Sequence, residues 1–127
     1  MEVKTSTKER FTVISGLPGQ LPVTMTEELC RHLTTYLRQP VKNIVLNMEG
    51  VQGIDEAAAE NLVRTQQEFY EAGASFVICG MEPSLEAQLD GLDLLELMNV
   101  TPTESEAWDI VQMEEIEREL LDDEEPE

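Results

Sequence analysis

Strand and helix signals alternate along this chain of 127 residues and predict one α/β domain. The expected form is a sandwich: four or five short, mostly parallel strands covered by about four helices, followed by an acidic C-terminal tail. Three observations predict it. In Val41 to Leu62 an apolar β-type run, Ile44-Val45-Leu46 and Met48, passes through a turn marked by Gly50 and Gly53 into the helix formers Ala57-Ala58-Ala59. Ala74 to Cys79 is an apolar run bounded by Gly73 and Gly80, the pattern of a buried strand. Between such runs, apolar residues recur at helical spacing, and strands joined by helices pair in parallel through right-handed crossovers.

Residues 2–6 and 11–15 read as short strands, with Thr7-Lys8-Glu9-Arg10 as a hairpin turn. Gly16 to Pro22 reads as a loop, because two glycines and two prolines do not fit a helix or a central strand. Thr24 followed by Glu27 fits a capping box and opens a helix to Arg38, with Met25, Leu29, Leu33, Tyr36 and Leu37 on its apolar face and Pro40 as its stop. A strand at 43–48 follows, then a helix over Glu56 to Glu71 that Asp55 is placed to cap and Gly73 to end. Pro83 suits the first turn of a helix reaching Leu94 or Leu95, and Met98 to Val100 is a brief strand. Thr103 is expected to cap a last helix from Glu104. Ala107, Ile110 and Val111 share one face of it, whereas Met113, Ile116, Leu120 and Leu121 point to another azimuth. The division expected is a domain over 1–112 and an acidic helical extension with a disordered tail over 113–127, the tail being Asp122 to Glu127.

The net charge of −19 comes from 27 acids against 8 Lys and Arg. Residues 104–127 hold 12 of those acids beside one base, Arg118, leaving 15 acids and 7 bases upstream. That field repels phosphate backbones and anionic headgroups, which argues against nucleic-acid and membrane-surface partners. No apolar run approaches the ~20 residues of a membrane helix, and MEVKTSTKER has no apolar signal region, so the expected setting is cytoplasmic, without membrane insertion. Cys30 and Cys79 lack CxxC spacing and read as reduced core residues.

The strand IVLNMEGVQGID ending in Asp55, the helix behind it, the glycine-bounded ASFVICG and the segment DLLELMNVTPTESEAW together resemble a STAS domain, the fold of bacterial anti-sigma-factor antagonists, over roughly Glu9 to Val111. The resemblance implies a protein-binding regulatory module in a partner-switching pathway, without catalysis or cofactor, whose partner is an anti-sigma factor of the kinase type. In that family the turn typically reads Asp-Ser-Ser-Gly or Asp-Ser-Thr-Gly, and its second hydroxyl residue is phosphorylated. Here the turn reads Asp55-Glu56-Ala57-Ala58, so Ala57 stands at the phosphoacceptor position, and Leu92-Asp93 stand where the family often has Thr-Gly. The partner surface implied by the resemblance comprises Asp55, Glu56, Ala57, Ala58 and Asn61 with Gly19, Gln20 and Leu21. Ala57 leaves the domain fixed as binding-competent, or Glu56 leaves it fixed as blocked; both remain open. A second role is that of a non-phosphorylatable STAS subunit in a scaffold or a lipid-transport complex, and a third, less favoured, that of a small metal-dependent acidic enzyme.

Enzyme readings are thin. His32, the only histidine, lies in a helix with no nucleophile at meaningful spacing. Asp55, Glu56 and Glu60 are hard-cation ligand types, but their spacing matches no known loop, so no metal site is assigned. GLPG is neither a Walker loop nor a dinucleotide fingerprint. Thr65 is a candidate replacement phosphosite or an ordinary surface threonine, and Trp108 an interface anchor or a packing residue. The stripe of Met113, Ile116, Leu120 and Leu121 is the candidate for self-association into a homodimer.

Overall fold

The computed structural model describes residues 3–124. Its strands are β1 Lys4–Thr7, β2 Phe11–Ser15, β3 Gln20–Leu21, β4 Asn43–Asn47, β5 Gly53–Ile54, β6 Phe76–Cys79 and β7 Val100–Thr101. Its α-helices are α1 Val23–Thr34, α2 Glu56–Glu71, α3 Pro83–Gly91 and α4 Glu104–Glu124, with 3-10 turns at Thr35–Arg38 and Leu95–Leu97. Five strands make one sheet in the order β1-β2-β4-β6-β7, antiparallel between β1 and β2 and parallel elsewhere. The short strands β3 and β5 pair with each other outside that sheet.

Both faces of the sheet are covered, which is why its strands read as continuous apolar runs. Ile14, Leu46 and Ile78 are register partners across β2, β4 and β6, and with Ile44 and Phe76 they pack against Leu29 and Leu33 of α1, Leu62 and Phe69 of α2, and Leu85 and Leu89 of α3. On the opposite face Val13, Val45 and Val77 form a matching row against Ala107 and Val111 of α4. Each fully buried leucine here contributes about 1.5–3 kcal/mol relative to exposure.

The second half of α4 returns to the same body through polar contacts. Asn43, at the start of β4, donates from its side chain to the Arg10 carbonyl (2.9 Å) and to Glu115. Its carbonyl oxygen accepts from the Ser75 backbone N–H (2.8 Å) and from Arg118 (3.4 Å), which also reaches the Ser75 hydroxyl (3.2 Å). Arg10 pairs with Glu115 at 2.6 Å. The change of azimuth after Val111 therefore marks a change from apolar to polar docking, and α4 runs unbroken across residue 112. It is helical through Glu124; residues 2 and 125–127, the latter part of the expected tail, and the Leu121 side chain lie outside the described residues.

Other differences are local. The Gly16 to Pro22 loop contains β3, since a two-residue ladder needs only the N–H and C=O groups between its prolines. The helix expected through Arg38 tightens to 3-10 after Thr34. Thr103 does cap α4, its hydroxyl accepting from the Glu106 N–H at 3.2 Å. Helix α2 ends in a Schellman motif: the Ala74 N–H reaches the Phe69 carbonyl (2.9 Å), the Gly73 N–H reaches that of Tyr70 (3.1 Å), and Gly73 takes φ 75°. Helix α3 ends the same way at Leu94 to Leu89 (3.0 Å) and Asp93 to Asp90 (3.1 Å), but the left-handed position is filled by Asp93, φ 59°.

Because left-handed backbone costs an L-residue about 1–2 kcal/mol, and a β-branched one more than aspartate, Asp93→Ile is expected to destabilise by at least about 1 kcal/mol. Asp93→Gly is expected to match or exceed the parent protein in the same urea titration. A second expectation concerns pH. Burial pushes the Cys79 thiol up from 9.0 to about 11. A raised thiol pKa stabilises the fold fully below the ordinary value and loses that contribution as pH rises through the folded one. Thermal melts should thus fall between pH 9 and 11, and Cys79→Val should flatten that fall.

Candidate functional site

Two connections leave the same end of the parallel sheet, Gly16 to Gln20 after β2 and Met48 to Gln52 after β4, and they meet as the β3–β5 ladder. The Gly19 carbonyl accepts from the Gln52 N–H (2.7 Å) and the Gly53 N–H (3.2 Å). The Leu21 carbonyl accepts from the Asp55 N–H at 3.2 Å. Gln88 of α3 donates to the Ile54 carbonyl at 2.6 Å and fixes the ladder from its other side.

Asp55 occupies the N-cap position of α2, with φ −69° and ψ 149°, yet its side chain makes no capping bond to its own helix. Its Oδ2 instead accepts from the Val23 N–H at 3.2 Å, the first N–H of α1. The expected Thr24 and Glu27 capping box is thus replaced: the N-cap lies two residues earlier, at Pro22, which has no side-chain acceptor, and a carboxylate from 32 residues away fills the gap. One residue joins the starts of two helices.

Asn61, about one and a half turns into α2, ties that helix to α1. Its side chain donates to the Thr26 hydroxyl (3.2 Å) and accepts from Arg64 (3.2 Å). Its backbone carbonyl accepts from the Thr65 hydroxyl (2.9 Å) and the Cys30 thiol (3.7 Å). Thr65 is 3% exposed, so it is neither a surface threonine nor an accessible modification site.

The residues expected to form one surface divide into two sets. Gly19, Gln20, Asp55, Glu56 and Ala57 are exposed, side by side through the β3–β5 ladder. Leu21 is 1% exposed and Ala58 0%; they belong to the core, because strand and helix alternation turns them inward, and they hold the surface from beneath. The head of α2 is electrostatically simple: its free N–H groups have no side-chain cap, and Glu56 is the one acid of its first turn.

Elsewhere, His32 is exposed and edge-on to Tyr36 at 5.5 Å. Both cysteines are free thiols; burial raises the Cys30 pKa, against a hydrogen bond with Thr65 that lowers it. Among the described residues no three or more His, Cys, Asp or Glu gather as a metal-holding group, and Asp55, Glu56 and Glu60 do not do so. No helix among them is long and apolar enough to cross a membrane.

Loss of the Asp55 carboxylate is expected to uncap α1. Asp55→Ala should lower stability by about 0.5–2 kcal/mol in denaturant titration, and Asp55→Asn, which keeps an acceptor oxygen, should retain most of it.

A comparison with curated protein sequences finds no significant match. Among solved structures, a Thermotoga maritima protein described as a candidate anti-sigma factor antagonist superposes with a TM-score of 0.76 at 16% identity, covering 87% of this chain and 94% of that one. The phosphorylated form of the Bacillus cell-fate determinant SpoIIAA superposes with a TM-score of 0.62 at 20% identity, over 87% and 99% of the two chains. The murine anion transporter Slc26a9 contains a similar unit, with a TM-score of 0.65 at 12% identity, over 81% of this chain and 18% of the transporter. At these identities the likeness establishes the fold. The family model described as the STAS domain matches residues 2–107, and with most of its length inside that match the chain belongs to the STAS domain family.

Proposed function

We propose that the chain is a protein-binding regulatory module of the anti-sigma-factor-antagonist type, acting in the cytoplasm through contact alone. The observation that supports this reading is the shared exposure of Gly19 and Gln20 with Asp55, Glu56 and Ala57, brought together by the β3–β5 ladder and the Asp55 bond to α1. The proposed partner is an anti-sigma factor of the kinase type, and Asn61 contributes by fixing the angle between α1 and α2.

Within this reading Ala57 is the position that relatives phosphorylate, and here it leaves the module binding-competent at all times. A phosphate at a helix head carries about −1.5 to −2 charge and three acceptor oxygens. Glu56 carries one charge on a smaller planar group, one residue earlier, where the helix dipole favours it. It therefore resembles an ordinary first-turn acid more closely than a phosphate.

Calorimetric titration against kinase-type anti-sigma factors of the same genome tests the reading. Binding is expected, with Ala57→Asp weakening it by about tenfold or more (1.4 kcal/mol) and Glu56→Ser changing it less than that. With ATP present, Ala57→Ser should incorporate phosphate at residue 57 and the parent protein should not. A gain of tenfold in Glu56→Ser would instead identify a permanently blocked state, and absence of binding by every variant would remove the anti-sigma-factor reading.

A further inference from the structure

The outer face of α4 shares no residue with the proposed partner surface at the head of α2. Ala107, Val111 and Arg118 face the sheet. Met113, Ile116 and Leu120, at spacings of three and four residues, fall on the opposite side of the same helix and are 55%, 54% and 56% exposed. Methionine, isoleucine and leucine in one helical stripe make a continuous apolar surface, and large exposed apolar surface marks interaction sites. Helical geometry places Glu106, Asp109 and Glu117 within or along that stripe. The basic groups nearby are committed elsewhere: Arg118 to Ser75 and Asn43 beneath the helix, Arg10 to Glu115.

Charge decides what can cover the stripe. A second copy would bring two segments together that each hold 12 acids and one base over residues 104–127, and such like-charge contact opposes association. A helix with an apolar stripe flanked by Lys or Arg meets both features at once, the apolar contact in the middle and ion pairs along the rim. We propose that the outer face of α4 is a docking site for a basic amphipathic helix of another protein, separate from the surface at the head of α2.

The test uses the full chain and a synthetic amphipathic helix with a Leu stripe flanked by Lys, beside a peptide of the same composition in scrambled order. Fluorescence anisotropy should show binding of the patterned peptide that weakens with salt, and about tenfold weaker binding of the scrambled one. Ile116→Glu and Leu120→Glu should each weaken the patterned peptide about tenfold or more while keeping the parent melting temperature, since both side chains are over half exposed. Glu56→Gln should leave the peptide affinity unchanged, which separates this site from the proposed partner surface. Equal binding of patterned and scrambled peptides, or of parent and Ile116→Glu, would overturn the proposal. So would light scattering that finds the full chain dimeric and Ile116→Glu monomeric, because the occupant would then be a second copy.

Discussion

Parallel pairing of β2, β4 and β6 is the constraint on which everything else rests. Neighbouring parallel strands cannot be joined by a tight turn, so each connection must cross the sheet and carry a helix with it. That requirement buries the sheet on both faces, through Ile14, Leu46 and Ile78 on one side and Val13, Val45 and Val77 on the other. It also sends the connections after β2 and β4 out from the same sheet end. Their meeting as β3 and β5 follows from that coincidence, and the surface of Gly19, Gln20 and the head of α2 follows from their meeting.

The architecture was legible in the sequence because it is written in local signals. Continuous apolar runs mark strands buried on both faces, Gly73 and Thr103 mark helix ends, and the resemblance around Asp55 pointed to the STAS family. What escaped the sequence was long-range polar pairing. The Asp55 bond to Val23 spans 32 residues, and a reading of nearest neighbours assigned each member to a local partner instead. The second half of α4 escaped for the same reason: hydropathy registers a lost apolar face, and Asn43, Glu115, Arg118 and Ser75 replace it with hydrogen bonds that periodicity does not record. Leu21 and Ala58 directly follow the exposed Gln20 and Ala57, so their inward orientation depended on strand register and helix phase rather than composition.

Asp55 ties β3 and the starts of α1 and α2 together. The carboxylate that caps α1 stands at the mouth of α2, with its own N–H tied to Leu21. The surface around Asp55 is braced from three elements, β3, α1 and α2, so a partner of the proposed kind would lose little ordering entropy on binding there. The helix head presents the two exposed carboxylates of Asp55 and Glu56, with alanines beyond them.

The two modes by which α4 is attached divide that helix into regions of unequal local stability. Ala107 and Val111 are sealed into the valine row, so their amides can reach solvent only when the sheet itself opens. From Glu114 onward the helix is held by hydrogen bonds and an exposed ion pair, contacts that water can replace at small cost. Opening of these C-terminal turns would uncover Asn43 and the N-terminal ends of β4 and β6 at a lower cost than opening the helix around Val111.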